Sequence, residues 1–274
     1  VYTYQLESPL HNCHNQIREY CQSVDVPCTI SKKINPSEIE DKIDYILAIK
    51  WRFMIGQNEL DLLGARLIVF HASLLPKYRG FAPVQWPLLN GEKQSGVTMF
   101  FAADEVDSGD IIGQKSFEIL DSDCAADVDQ KVEDTLVKLI EEQAPSLAGD
   151  NLKPIPQNHS EATYAIWLNE ADGHLDWSQS AKQNLNRVRA FGYPYSGAYA
   201  IYNGEKIIIE KAEVVKAART YVGRIVGKVE SFEPDGAVNV LCGEGILRIL
   251  QLRGEQNELV SPRQIIKNLK SRLT

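Results

Sequence analysis

An imidazole and a carboxylate stand where a polypeptide can readily bring them together. His71 follows the apolar run Leu67-Ile-Val-Phe70 and opens the stretch His71-Ala-Ser-Leu-Leu-Pro-Lys-Tyr-Arg-Gly80. A short run of Leu, Ile, Val and Phe reads as a buried strand that ends by Pro76, which puts His71 at or near the strand's C-terminal end. A second apolar segment, Gly96-Val-Thr-Met-Phe-Phe101, runs into Ala102-Ala-Asp-Glu-Val-Asp-Ser-Gly-Asp110 and sets Asp107 on a glycine-containing turn. In open α/β sheets ligands bind at such strand ends, because the chain leaves the sheet there and lines a crevice. A His and an Asp on neighbouring strand ends form the unit that general base catalysis needs. Each residue also has a plainer reading alone: a strand-end His is commonly a polar loop residue, and Asp is a common turn residue. Asp104 and Asp110 fit that turn reading.

The elements that must position this pair alternate along the first half. Residues 1–6 alternate like a strand, 14–24 carry Ile17, Tyr20, Cys21 and Val24 at helical spacing, and 26–30 read as a short strand. Pro36 opens a helix at its first turn. Residues 44–49 form the next buried strand, which runs into Lys50-Trp51-Arg52-Phe53-Met54, a basic and aromatic run at a strand exit. Residues 111–119 read as an edge strand and 125–142 as an amphipathic helix with Val128, Val132, Leu136, Leu139 and Ile140 on one stripe. Such alternation predicts a mostly parallel sheet with helices on both faces. Pro145, Pro154 and Pro156 bound a looser stretch, and the domain boundary is placed at 155–165, giving domains 1–160 and 161–274. In the second half a helix capped by Ser178 or Ser180 precedes alternating runs at 206–210, 224–229, 238–242 and 247–252. Asn203-Gly, Asp235-Gly and Gly243-Glu-Gly punctuate them as hairpin signals. A small barrel-like β domain is expected, closed by a short helix after Ser261.

Bulk properties narrow the function classes. The chain has 274 residues, 44% hydrophobic and 24% charged, with a net charge of −8. Residues 1–160 hold 14 lysines and arginines against 24 acids; residues 161–274 hold 15 against 13. Binding of a polyanion needs a basic footprint, and neither half offers one, so nucleic acid is disfavoured as a partner. No apolar run is long enough to span a bilayer, and the first residues show no secretory pattern. Five scattered cysteines suit reduced thiols and a cytoplasmic location. His11-Asn-Cys-His14, with Cys21 and Cys28 downstream, matches no zinc spacing and reads as helix-start polarity plus buried thiols; no metal is expected.

The ordered set His71-x-Ser-Leu-Leu-Pro-x-x-Arg-Gly, Asn90-Gly-Glu, Gly96-Val-Thr and Asp107-Ser-Gly resembles the formyltransferase family that uses 10-formyltetrahydrofolate. The second half is similar to the C-terminal domain of its longer members through Gly173-His-Leu-Asp-Trp, Asn186-Arg-Val-Arg-Ala and Pro194-Tyr-Ser-Gly-Ala. The resemblance implies a Rossmann-like first domain whose opening βα unit would precede Val1. It implies His71 as base or proton shuttle and Asp107 as the group that orients and charges it. It also implies a pterin pocket walled by Lys50, Trp51, Arg52, Phe53 and Met54, with Asp104 on the folate; plain packing of that aromatic run is the equal alternative. Ser73, Lys77 and Arg79 would meet the substrate, Lys77 and Arg79 through its phosphates, unless they are surface charges. The implied substrate is a nucleotide-linked amino sugar, with charged initiator tRNA as the alternative, and the β-edges of the second domain admit a homodimer. One position departs from the pattern: the family's Asn, two residues before the His, is Val69 here. Lys50, Ser73 or a backbone N–H then replaces it, or sugar-modifying members use this strand normally, or the protein binds without turnover.

Overall fold

The computed structural model describes residues 1–5, 13–33, 35, 43–51, 53, 55–63, 66–216, 219–254 and 258–274. The helix expected at Pro36, and Arg52 and Met54 of the pocket run, lie outside the described residues. In chain order the first part holds β1 (Tyr2–Thr3), α1 (His14–Ser23), β2 (Thr29–Ile30), β3 (Ile46–Ala48), α2 (Gln57–Leu63) and β4 (Leu67–His71). It continues with β5 (Arg79–Gly80), α3 (Gln85–Asn90), β6 (Gln94–Phe101), β7 (Ile111–Glu118) and α4 (Ala125–Ala148).

A four-stranded sheet of order β3-β4-β6-β7 carries the candidate site. Side-chain alternation along β4 divides two packings. Ile68 and Phe70 join Val97, Met99 and the α4 stripe Val128, Val132, Leu136 and Leu139 in the main core. Leu67 and Val69 turn the other way, to Ala48, Leu63 and Trp51. Position 71 follows on that second face. The strand directions correct the expectation of a mostly parallel sheet: β3 pairs β4 in parallel, whereas β4–β6 and β6–β7 are antiparallel. Between β6 and β7 the chain makes a short return, which permits only antiparallel pairing, whereas the longer connection through β5 and α3 brings β6 back antiparallel to β4. A separate parallel pair is formed by β1 and β2. Helix α4 runs through Pro145, which lies in its final turn.

The second part comprises β8 (Tyr164–Ala165), α5 (Ala181–Phe191), β9 (Ala198–Tyr202), β10 (Glu205–Val214) and β11 (Val229–Phe232). After these come β12 (Val238–Leu241), β13 (Ile246–Arg253), β14 (Leu259–Val260) and α6 (Pro262–Ile265). At the β9–β10 hairpin Asn203 (φ 52°) and Gly204 (φ 86°) are both left-handed, as a two-residue turn of that composition requires. The strand expected over 224–229 begins only at Val229, because the chain turns at Gly227 (φ 76°) and Arg224 Nη1 folds back onto the carbonyls of Cys242 and Gly245. The expected barrel does not close. The sheet runs β11-β12-β13-β10-β9 with β14 on β13. The chain's last residues lie against both edges: Leu273 N–H donates to Gly227 O at 2.8 Å, and Thr274 exchanges bonds with Ile201 of β9 at 2.7 and 3.0 Å.

Helix α5 starts at a reciprocal cap between Ser180 and Gln183. Its buried face docks on the first part, where Arg189 donates to the carbonyls of Asp123 (2.6 Å) and Leu120 (2.7 Å). Buried residues from both parts form one continuous core. Among the described residues no helix is long and apolar enough to cross a membrane.

Candidate active site

Strand β4 delivers His71 opposite Thr98 of β6, and Thr98 anchors the loop that follows. Its hydroxyl donates to Ser73 O (2.6 Å) and accepts from Leu75 N–H (3.1 Å) and the Gln114 amide (2.8 Å). Ser73 closes the loop from within: it is fully buried and donates to Lys77 O at 2.7 Å. The loop therefore leaves the sheet in one shape and presents the carbonyl of Tyr78, a residue with φ 60°, to the His71 ring.

Both ring nitrogens of His71 are placed, and the side chain is 9% exposed. Nε2 lies 2.7 Å from Tyr78 O; a carbonyl only accepts, so Nε2 carries the proton. Nδ1 faces Asp107 Oδ2 at 3.6 Å. That same oxygen accepts from Gly80 N–H at 2.7 Å. Asp107 adopts φ 51° in the turn between β6 and β7, where Gly109 is indispensable because a Cβ would lie 1.8 Å from Phe101 O.

Gln157, from the segment between α4 and β8, holds this turn from behind. Its amide donates to Asp107 O (2.9 Å) and Gly109 O (2.7 Å), and its Oε1 accepts from Arg79 Nη2 (2.7 Å) and Nε (3.2 Å). Arg79 also reaches His159 Nδ1 (3.1 Å) and Tyr164 OH (3.4 Å), and it is 1% exposed. Among the described residues no carboxylate pairs with this buried cation. Burying a charge is costly unless hydrogen bonds satisfy it, and here neutral acceptors do so.

The sequence-named residues thus separate. His71 and Asp107 are brought together. Arg79 and Ser73 are buried, while Lys77 is exposed. Asp104 is exposed and, with Glu105, Asp110, His159 and Tyr164, lines an open concavity of about 590 Å³. Lys50 (φ 49°) turns its ammonium to Asp129 (3.2 Å) and Glu133 (2.5 Å) of α4. Burial pulls its pKa down, but Glu133 and Asp129 more than offset this and raise it. Trp51 and Phe53 stack edge-on with Tyr4, at ring separations of 5.0–5.5 Å. Val69 lies on the same side of β4 as His71 and packs with Ala48, Leu63 and Leu67. Of the groups named as replacements for the family's Asn, Lys50 is bonded to Asp129 and Glu133, and Ser73 to Lys77 O. Gln157 went unread in the sequence, and Tyr78 and Thr98 stood within the quoted stretches His71–Gly80 and Gly96-Val-Thr without an assigned role. Among the described residues no cluster of three or more His, Cys, Asp or Glu could hold a metal ion.

Two family descriptions match the chain: Formyl transferase over residues 29–143, and Formyl transferase, C-terminal domain, over residues 168–270. Among solved structures, an N-formyltransferase from Helicobacter canadensis in complex with folinic acid and dTDP-3-aminofucose is 20% identical at a TM-score of 0.68. That match covers 90% of this chain and 85% of the other. HypX from Aquifex aeolicus in complex with tetrahydrofolic acid is 19% identical at a TM-score of 0.62, over 97% of this chain and 46% of the other. The chain spans about half the length of the HypX structures it matches. A 4-N formyltransferase from Francisella tularensis is 21% identical at a TM-score of 0.60, over 75% of this chain and 82% of the other. At these identities the likeness is one of fold.

Proposed function

The chain belongs to the formyl transferase family, and from that membership we propose that it transfers a formyl group from 10-formyltetrahydrofolate to the amine of a nucleotide-linked amino sugar. The observation that carries the reading is the His71–Asp107 pair, 3.6 Å apart at the end of β4 within the matched domain. The folate and dTDP-sugar bound to the Helicobacter canadensis protein support the substrate class. So does the acidic charge, which disfavours a tRNA.

The transfer forms a bond from the amine nitrogen to the formyl carbon and breaks the bond from that carbon to the folate N10. The amine must lose a proton and N10 must regain one. His71 takes and returns that proton, and Asp107 stabilises the charged imidazole. The developing negative charge on the formyl oxygen needs a donor, which with Val69 in place is a backbone N–H. Trp51 and Phe53 offer the aromatic wall for the pterin, and exposed Lys77 offers a cation for the diphosphate. A cytoplasmic location fits the five free cysteines.

Incubation with 10-formyltetrahydrofolate and a panel of nucleotide-linked amino sugars, read by mass spectrometry, tests the proposal. A formyl mass increment on one sugar is expected. Ligand-induced thermal stabilisation by folate and sugar with no product across the panel would favour the binder that Val69 suggests and overturn the enzymatic reading.

A further inference from the structure

We propose that Tyr78 is the positioning residue of the site: its carbonyl oxygen holds the proton of His71 on Nε2, so that Nδ1, facing Asp107, is the basic edge of the ring. A neutral imidazole has one donor and one acceptor nitrogen, and the partner of one decides the other. Nε2 is 2.7 Å from a group that can only accept. Nδ1 is the nitrogen left to accept a proton, on the side of the Asp107 oxygen that is itself held by Gly80 N–H.

The carbonyl points at the ring only while Tyr78 stays left-handed, at φ 60°, which residues with a Cβ resist. Three contacts hold it there. Tyr78 N–H donates to Thr163 Oγ1 at 2.9 Å, from the segment preceding β8. The phenol donates to Glu92 Oε1 at 2.7 Å and accepts from the Asn90 amide at 3.0 Å. Burial raises the phenol's pKa, and Glu92 adds to this against the opposing Asn90 donor, so the hydroxyl remains a donor. Asn90 and Glu92 flank Gly91, which ends α3 in the left-handed conformation and turns both side chains back over the loop. The Asn90-Gly-Glu motif thereby acquires a role at a distance from the reacting atoms: it fixes the tyrosine that fixes the histidine.

Long-range proton–nitrogen correlation spectra of the full chain labelled with 15N-histidine read the tautomer directly, with His71 identified as the signal lost in His71→Asn. The wild type is expected to carry its neutral-form proton on Nε2. Tyr78→Phe removes both phenol bonds; it is expected to mix the two tautomers and lower kcat by about ten- to a hundredfold, the scale of a misplacement of up to about 1 Å, with KM for both substrates changed less than about twofold. Glu92→Ala, at an exposed position that leaves folding intact, is expected to move both readouts in the same direction by less, and Glu92→Gln to restore them. A proton on Nδ1 in the wild type, or unchanged tautomer and kcat in both Tyr78→Phe and Glu92→Ala, overturns the inference. The kinetic arm rests on the transferase reading. A wild type without transfer activity overturns that reading alone, because the tautomer still decides the role of Tyr78.

Discussion

Around the loop after β4, Ser73, Arg79 and Thr98 are buried and satisfied one by one. Arg79 is bonded to Gln157, His159 and Tyr164, Ser73 to Lys77 O, and Thr98 to Ser73 O. On the C-terminal sheet the polar groups are arranged the other way. Arg248 spans Glu213 (3.0 Å) and Glu233 (3.1 Å) at side-chain exposures of 28–50%. Water competes for these two carboxylates, so each ion pair contributes little. For these buried groups little water competes, and a deleted partner leaves a buried group unpaired at its full desolvation cost. The buried arginine and the loop beside it are therefore held by neutral acceptors and backbone carbonyls, while the Arg248 ion pairs lie at the surface.

Substitutions can break this contrast in order of size. His71→Asn should lower kcat by about 10²- to 10⁴-fold, and Asp107→Asn by at least ~10²-fold, in a formyl-transfer assay. Near-normal turnover in either variant would remove these residues from their assigned roles. Arg79→Met should cost about 1–3 kcal/mol in urea unfolding, because Gln157 Oε1 loses its buried partners. It should also lower kcat by letting the Asp107 turn shift. Unchanged stability would show that the buried cation is not an organising element. Glu213→Gln, at the exposed end of the Arg248 network, should cost less than about 1 kcal/mol and leave turnover intact; a larger loss would erase the distinction between the two regions.

The smallest effect is a pH dependence. At the start of α4 the Asp127 carboxylate accepts from Cys124 N–H at 2.8 Å, and this bond first, then the Cys124 thiol, holds its pKa below the ordinary value. A group with a lowered folded pKa stabilises above its unfolded pKa and loses that contribution as pH falls through the folded value. The stability gap between wild type and Asp127→Asn should therefore be largest at neutral pH and shrink below about pH 4. A gap that widens with acid would contradict the cap.

The sequence alone determined whatever depends on neighbours within a turn or two. The apolar run ending at His71, the stripe of α4, the Ser180 cap of α5 and the Asn203-Gly204 hairpin are of this kind, since periodicity and turn chemistry are short-range. The apolar runs put His71 and Asp107 at neighbouring strand ends; the structure has His71 at the end of β4 and Asp107 in the turn between β6 and β7, which folds back to bring the two within 3.6 Å. Only the tertiary structure decided the rest. Apolar patterning is blind to strand direction, so the antiparallel β6 and β7 were not legible, nor was the chain's end lying between the edges of β9 and β11. An arginine reads as surface until a partner distant in sequence removes it from water, as Gln157 does for Arg79. The same holds for the functional ring: local sequence placed the imidazole, but which nitrogen holds its proton depended on a carbonyl whose direction is set by Asn90, Glu92 and Thr163. Hydrogen bonds are directional and made between groups that folding alone brings within 3 Å, so composition and spacing cannot encode them.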